Sequence, residues 1–238
     1  AATQTIISAS HTAVTTDGGA TALITVQAKD AQGNNLLSSA GNVTLSTDSS
    51  TAIISAVTDN NNATYSATIS NTLAESVTIN GTIAGETIGL GNPIISFTPG
   101  LASNLNTTIT ATPNSVTTDG ITTATVTVQA IDTQGNFLTS SAGVVTLSSN
   151  SINALISPVI DLNNGTYTAT VSNTFTEIVT ISGVIAGNII NSGDPSINFT
   201  PGEVSALNTT ISASQVSVTT DNGSTSITVQ LKDSLGNG

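Results

Sequence analysis

The sequence predicts an all-β protein built from tandem β-sandwich domains, and three observations support this fold class. The chain repeats itself with a period of 102 residues, since TTDGG at Thr15 recurs as TTDGI at Thr117 and as TTDNG at Thr219. A unit of about 100 residues is the usual size of a two-sheet sandwich. Thr, Ser, Val and Ile are abundant and charged residues make up only 7% of the chain, a composition that favours strands over helices.

The repeat also predicts the domain organisation. Residues 1–100 align with residues 103–202 without an insertion, and 58 of these 100 pairs are identical. We therefore predict one domain at 1–102, a second at 103–204, and a partial third repeat at 205–238 that holds only the first strands. Duplication of a whole folding unit indicates a mechanical or spacing role rather than two specialised domains.

Alternation with a period of two residues locates the strands. Ala22, Ile24, Val26 and Ala28 alternate with residues of the opposite face, and the pattern recurs at residues 124–130. The other strands predicted in the first repeat are Thr5–Ser10, Val43–Ser46, Ala52–Val57, Thr64–Ser70, Val77–Ile83 and Ile94–Thr98. This makes seven strands per unit, the number expected of a sandwich.

Each full repeat ends in the same four residues, FTPG. We interpret Phe97 and Phe199 as core anchors on the last strand of their repeats. Pro99-Gly100 and Pro201-Gly202 then mark short linkers, because Pro and Gly interrupt regular structure. Linkers this short predict that neighbouring repeats touch.

Acidic residues recur in two turn-like settings, TTD and D-x-x-G-N, in which Asp begins a turn and Gly supplies a positive φ. The D-x-x-G-N segments begin at Asp30, Asp132 and Asp233. The TTD segments contain Asp17, Asp119 and Asp221. We interpret these acids as structural turn residues. The alternative is calcium binding, which would require several of these oxygens to converge at one place.

The segment NNATYSA at Asn61 recurs as NNGTYTA at Asn163, and it contains the only two Tyr residues, Tyr65 and Tyr167. It resembles the tyrosine corner of immunoglobulin-like domains, in which a Tyr hydroxyl bonds back to nearby backbone. The chain has neither Cys nor Trp, which excludes antibody-type domains and leaves the wider sandwich class. A carbohydrate-stacking role for the two Tyr side chains is the functional alternative.

The segment TITATPNSVTTDGITTATVTVQAIDTQGN at Thr108 resembles the bacterial immunoglobulin-like repeat of invasin and intimin adhesins. VTLSS at Val145 continues the resemblance, which covers both full repeats and the start of the third. It implies tandem immunoglobulin-like β-sandwich domains in the stalk of an extracellular adhesin on the bacterial cell surface. The partners of each domain would then be the neighbouring repeats, and we interpret the chain as a segment of a longer secreted protein.

The charge distribution excludes two classes of partner. The chain carries a formal net charge of −12, and Lys29 and Lys232 are its only basic residues apart from one His. A nucleic-acid or anionic membrane surface needs clustered Lys or Arg, and none is present. No apolar run of about 18 residues predicts a membrane span.

Catalysis is not predicted. The only His, His11, is replaced by Pro113 in the second repeat, so a Ser-His-Asp triad would have to exist in one copy alone. The acids lie in turns, and two Tyr and four Phe residues are too few to line an aromatic cleft. We therefore assign no catalytic, cofactor-binding or metal-ligating residue and no cofactor.

Two further functional hypotheses come from other classes. Thr123, Thr125 and Thr127 form an outward row that resembles the flat threonine arrays of ice-binding proteins. The partial repeat Glu203–Gly238 suggests a filament subunit that donates strands to another copy of the chain. Strand exchange predicts polymers that depend on concentration, whereas a stalk segment predicts monomers.

Overall fold

The computed structural model describes all residues from 1 to 238, and every element of regular secondary structure in it is a β-strand. The chain forms two compact units. Unit 1 contains Ala1–Leu101 and Ile131–Leu138, and unit 2 contains Ala102–Ala130 and Thr139–Gly238. No helix with the length and apolar character needed to cross a membrane occurs. The predicted all-β tandem fold is confirmed.

Unit 1 is a sandwich of two sheets. Its strands are β1 Ile6–Ala9, β2 Ala13–Thr15, β3 Ala22–Gln27, β4 Val43–Thr47, β5 Ile53–Ile54, β6 Thr58–Asp59, β7 Thr64–Ser70, β8 Ser76–Ile83, β9 Glu86–Thr87 and β10 Ile94–Thr98. One sheet has the order β1-β3-β7-β5, with β6 also paired to β7. The other has the order β2-β10-β8-β4, with β9 paired to β8. Only β2 and β10 pair in parallel; the other strand pairs are antiparallel.

Unit 2 repeats this topology strand for strand and adds a hairpin. Its strands are β11 Thr108–Thr112, β12 Ser115–Thr117, β13 Ala124–Gln129, β14 Val145–Ser149, β15 Leu155–Ile156, β16 Ile160–Asp161, β17 Thr166–Ser172, β18 Glu177–Ile185, β19 Asn188–Ile189, β20 Ser196–Thr200, β21 Thr210–Ala213 and β22 Ile227–Gln230. The sheet orders are β11-β13-β17-β15 and β12-β20-β18-β14, and β21 pairs only with β22.

The core of unit 1 lies between its two sheets and follows the predicted alternation. Ala22, Ile24 and Val26 on β3 are fully buried, and so is Phe97 on β10. Full burial of each large apolar side chain stabilises the fold by about 1.5–3 kcal/mol relative to exposure. Phe199 is equally buried in unit 2, so the prediction that the FTPG phenylalanines anchor the core is confirmed.

The predicted strand Ala52–Val57 is wrong in its bounds, because only β5, Ile53–Ile54, lies within it and a separate short strand, β6, follows at Thr58–Asp59. Ile53 pairs with Ser70, whereas Thr58 pairs with Ser66, so the register shifts by one residue between the two short strands. An extra residue on one strand of an antiparallel pair is a β-bulge. The second repeat has the same shift, with Pro158 in the bulged segment, where its missing N–H costs no ladder bond.

The prediction of seven strands missed β2, β6 and β9, which are only two or three residues long. None of them is long enough to display alternation, and β2 is held by parallel pairing with β10 from the far end of the repeat. The partial third repeat, predicted to hold only first strands, contains β21 and β22, but the apolar residues of β22 are exposed. Ile227 is 61% exposed, whereas Ile24 at the equivalent position of β3 is fully buried.

Candidate functional site

Each D-x-x-G-N segment folds into a loop that its own Asp closes. Asp132 Oδ1 accepts hydrogen bonds from the backbone N–H of Gln134 at 2.9 Å and of Asn136 at 2.8 Å. The Asp132 N–H in turn donates to the Asn136 carbonyl. Gly135 has a φ of 89°, the left-handed region that Gly adopts without strain. The prediction of turn chemistry at this Asp is therefore confirmed.

The second carboxylate oxygen of Asp132 bonds outside the loop backbone. Asp132 Oδ2 accepts from Thr16 Oγ1 at 2.8 Å and from the Gly100 N–H at 3.0 Å. It also accepts from the Asn136 side-chain amide at 2.9 Å. Thr16 and Asp132 are fully buried and Asn136 is 7% exposed. A short loop of the chain thus buries a carboxylate against two distant segments of unit 1.

Asn136 holds a third segment of unit 1. Its Nδ2 donates to the Thr72 carbonyl at 2.9 Å and to Thr16 Oγ1 at 3.1 Å. Its Oδ1 accepts from the Ala74 N–H at 2.9 Å. Donor and acceptor of one amide are thus both used, which fixes the side-chain orientation. We call residues 132–136 a docking loop, and we call the groups of Thr16, Thr72, Ala74 and Gly100 that it contacts a receiving edge.

Unit 2 contains the same arrangement, with a docking loop at 233–237. Asp233 Oδ2 accepts from Thr118 Oγ1 at 3.0 Å and from the Gly202 N–H at 3.1 Å. Asn237 Nδ2 donates to Thr118 Oγ1 and to the Thr174 carbonyl, each at 3.0 Å. The receiving edge of unit 2 is formed by Thr118, Thr174, Thr176 and Gly202. The same hydrogen bonds therefore form at equivalent residues in both units, which indicates that the docking loop is a recurring structural feature of the repeat.

Neutral donors keep the buried carboxylate ionised. Burial is the largest single influence on the pKa of Asp132 and raises it, because the charged form is desolvated. Hydrogen bonds from Asn136, Gly100 and Thr16 together outweigh burial, so the pKa of Asp132 lies below its ordinary value. The same balance lowers the pKa of Asp233. The site therefore holds a negative charge without a basic partner, through charge-assisted hydrogen bonds.

The acids of the TTD segments have a different, local role. Asp17 Oδ1 accepts from the N–H groups of Gly19 and Ala20, and Asp119 bonds in the same way to the residues after it. Hydrogen bonds from the side chain and N–H of Thr122 and the N–H of Ile121 lower the pKa of Asp119 to about 2. Nowhere in the chain do three acidic or His side chains form a group that could hold a metal ion.

The two tyrosines are buried, and their hydroxyls bond to backbone far upstream in the sequence. Tyr65 accepts from the Ala40 N–H at 2.8 Å. Tyr167 accepts from the Ala142 N–H at 2.6 Å and donates to the Gly143 carbonyl at 3.0 Å. The turn immediately before each Tyr carries an Asn with positive φ. The resemblance to a tyrosine corner is therefore corrected: the hydroxyl fixes a loop about 25 residues away rather than the adjacent turn.

The outward face of one sheet in unit 2 carries a regular threonine array. The register places Thr112, Thr125 and Thr170 side by side on β11, β13 and β17. The next outward row contains Thr110, Thr127 and Thr168. The equivalent rows of unit 1 include Ser8, Leu23 and Ser66 instead. His11 is exposed and is hydrogen-bonded to the Ser10 hydroxyl, outside any cluster of catalytic residues.

Sequence reasoning identified the docking-loop residues as turn formers but missed their burial. The available signal was the recurrence of TTD, FTPG and D-x-x-G-N at matched offsets in the repeats, together with Asn71-Thr72 and Asn173-Thr174. That recurrence does not specify which loop meets which edge, because the bonded residues Thr16 and Asp132 are 116 positions apart.

Two-sheet sandwiches repeated along one chain, each with a receiving edge, define an immunoglobulin-like repeat protein. A family model described as invasin, domain 3, matches residues 1–100 and 103–202, and the chain belongs to that family. The resemblance to invasin-type adhesin repeats is thereby confirmed.

Several solved adhesin structures share the fold. The Escherichia coli adhesin FdeC is 22% identical with a TM-score of 0.69, over 99% of this chain and 75% of that one. InvD of Yersinia pseudotuberculosis is 20% identical with a TM-score of 0.65, over 100% and 72%. Invasin, described as a bacterial integrin-binding protein, is 23% identical with a TM-score of 0.64, over 96% and 48%. No curated protein sequence matches the chain.

Proposed function

We propose that this chain is a non-catalytic stalk or spacer segment of an extracellular adhesin on the bacterial cell surface. The observation that carries the proposal is the docking loop. Residues 131–138 belong to unit 1 by their contacts, yet they leave unit 2 after Ala130 and re-enter it at Thr139. Each end of residues 131–138 is thus covalently joined to unit 2, and the docking loop at 233–237 makes the equivalent hydrogen bonds within unit 2.

The chemistry of the loop suits a load-bearing connection. Each hydrogen bond to the charged carboxylate contributes about 1.5–3 kcal/mol, and each neutral one about 0.5–1.5 kcal/mol. Asp132 and Asn136 concentrate such bonds on two side chains that are themselves closed into a turn. The loop is held by these hydrogen bonds without a disulfide.

The proposed partners and location follow from the family. The neighbouring repeats of the same protein are the direct partners, and the known adhesins that share the fold support an extracellular position on the bacterial surface. One of those adhesins is described as integrin-binding. We assign no receptor to this segment, because nothing on its surface resembles a built ligand site.

Electron microscopy of single molecules tests the proposal, with the Asp132→Ala, Asn136→Ala double variant as the comparison. We expect a narrow distribution of angles between the two domains in the unaltered chain and a broader one in the variant. Equal and broad distributions would contradict a stalk role. Repeating the measurement in calcium and then in chelator tests the calcium hypothesis, and long regular fibres would instead support the filament hypothesis.

The threonine array favours a second candidate function, ice binding. Outward Thr side chains lie roughly 4.8 Å apart between strands and roughly 6.6 Å apart along a strand, a regular lattice of hydroxyl and methyl groups. The twist of the sheet opposes a planar surface, which weakens this candidate relative to the stalk. Ice recrystallisation assays with the unaltered chain and a Thr125→Lys, Thr127→Lys variant decide it. Inhibition that the variant loses would support ice binding, and no inhibition by the unaltered chain would exclude it.

A further inference from the structure

The first repeat contains a third docking loop, at residues 30–34, with the internal bonding of the other two. Asp30 Oδ1 accepts from the N–H groups of Gln32 at 2.9 Å and Asn34 at 2.8 Å. The Asn34 side-chain amide donates to Asp30 Oδ2 at 2.9 Å. Gly33 has a φ of 85°, matching Gly135. The loop is therefore already in the conformation that docks.

The environment of this loop differs from that of the other two. Asn34 is exposed and Asp30 is half-buried, whereas Asp132 and Asn136 are buried. The hydrogen bonds of the Asp30 side chain lie within its own loop. Neither the Asp30 side chain nor the Asn34 side chain forms a hydrogen bond to a residue outside the loop, unlike Asp132 and Asn136.

We propose that residues 30–34 are a docking site for the receiving edge of another immunoglobulin-like repeat. The partner has a Thr hydroxyl at the position of Thr16, a free N–H at the position of Gly100, and a turn carbonyl and N–H like those of Thr72 and Ala74. The inference rests on the proposed stalk function and adds the identity of one partner surface. Each of these groups would form the hydrogen bond to Asp30 or Asn34 that its counterpart forms to the docking loops at 132–136 and 233–237.

Two intact copies of the chain cannot satisfy this site in each other. The receiving edge of unit 1 is filled by residues 132–136, and that of unit 2 is filled by residues 233–237. The site therefore accepts a repeat with a vacant edge, and it gives no reason for the intact chain to self-associate. This restriction makes the proposal testable with variants of the full chain.

The test uses an isotope-labelled unaltered chain and an unlabelled full-length variant whose unit 2 edge is vacant. The variant carries Asp233→Ala and Asn237→Ala to empty the edge, and Asp30→Ala and Asn34→Ala to prevent docking to itself. We expect saturable chemical-shift changes at the Asn34 side-chain amide and the Gly33 N–H, with half-saturation at or below about 1 mM. The matched control carries only Asp30→Ala and Asn34→Ala, and it should produce no change because both its edges remain filled.

Absence of shifts at Asn34 with a folded variant at several millimolar would overturn the proposal. If the variant does not fold, a second copy of residues 103–204 placed before Ala1 supplies a vacant edge on the same chain. Exchange of the Asn34 side-chain amide should then slow at least tenfold, and an unchanged rate would equally overturn the proposal. The two proposals can fail separately. If Asp132→Ala, Asn136→Ala broadens the distribution of angles between the domains but the Asn34 amide shows no response, the stalk proposal is supported and only the docking site at residues 30–34 is rejected.

Discussion

Thr16 donates a 2.8 Å hydrogen bond from its hydroxyl to the carboxylate of Asp132, a residue 116 positions later in the chain, and both side chains are fully buried. Thr118 and Asp233 form the equivalent bond at 3.0 Å. A buried carboxylate needs partners for its oxygens, and here they are hydroxyl, amide and backbone N–H groups rather than a cation. This hydrogen bond exists only while the docking loop is docked. Substitution of Asp132 therefore tests how much docking contributes to stability.

Replacing Asp132 should cost more stability than replacing Asp30 in the same loop sequence. Asp132→Ala leaves the Gly100 N–H without its acceptor and leaves the Thr16 hydroxyl with only the Thr98 carbonyl, 3.2 Å away. We expect a loss of about 1–3 kcal/mol beyond the loop's own bonds. Asp30→Ala removes the matching loop bonds alone. Urea unfolding of the full chain, followed by circular dichroism, compares the two. Equal losses would mean that docking contributes no stability.

The docking carboxylate should make stability depend on pH in acid. The pKa of Asp132 is lower in the folded chain than its unfolded value of about 3.9, so the folded state favours the ionised form. Its contribution is complete above about pH 4 and is lost as the pH falls through the folded pKa. We therefore expect the stability advantage of the unaltered chain over Asp132→Asn to shrink below about pH 4.

Unfolding at a series of pH values between neutral and strongly acidic checks this expectation. Asp119, whose pKa is lowered to about 2, provides a control for acid effects outside the docking loop. The stability advantage of the unaltered chain over Asp119→Asn should shrink between about pH 4 and pH 2, and Asp119→Asn should leave the Asp132 difference unchanged. A constant difference between the unaltered chain and Asp132→Asn across the series would contradict the lowered pKa.

Loss of the Tyr167 hydroxyl should be more costly than loss of the Tyr65 hydroxyl. Tyr167→Phe leaves the Ala142 N–H without an acceptor and the Gly143 carbonyl without a donor, at about 1–3 kcal/mol. Tyr65→Phe removes one backbone partner, the Ala40 N–H. Thermal unfolding of both variants gives the comparison. The reverse order would indicate that the upstream loop in unit 2 re-forms its bonds elsewhere.

Two glycines on inner sheet faces should not tolerate a methyl group. A Cβ at Gly81 would lie 2.9 Å from the Thr44 carbonyl oxygen, and a Cβ at Gly183 would lie 2.8 Å from the Cδ1 of Ile109. Overpacking typically costs about 1–3 kcal/mol, and Gly81→Ala should be the worse of the two because backbone cannot move aside as a side-chain end can. Gly19→Ala is the control, since the nearest atom to its Cβ is 3.9 Å away. A drop in unfolding temperature for Gly19→Ala as large as for Gly81→Ala would contradict the steric explanation.

Local patterns predicted most of each sandwich. The strands at Thr64–Ser70 and Ile94–Thr98 have the predicted bounds, because alternation over five or more residues reflects one buried and one exposed face. The bulge between β5 and β6 was not predicted, since a one-residue change of register leaves no mark in the apolar pattern of so short a segment. The Tyr hydroxyl partners were misplaced because a side chain can reach any loop that the fold brings near it.

The sequence by itself determined the fold class, the period of the repeat, the family and the turn chemistry of the D-x-x-G-N loops, all of which depend on neighbouring residues or on recurrence. Only the tertiary structure decided which of these loops is buried. Asp30 and Asp132 have nearly the same local sequence and the same loop bonds, yet one is half-buried and the other is packed against Thr16. The difference lies in the surface that meets each loop, and that surface is assembled from residues far apart in the chain.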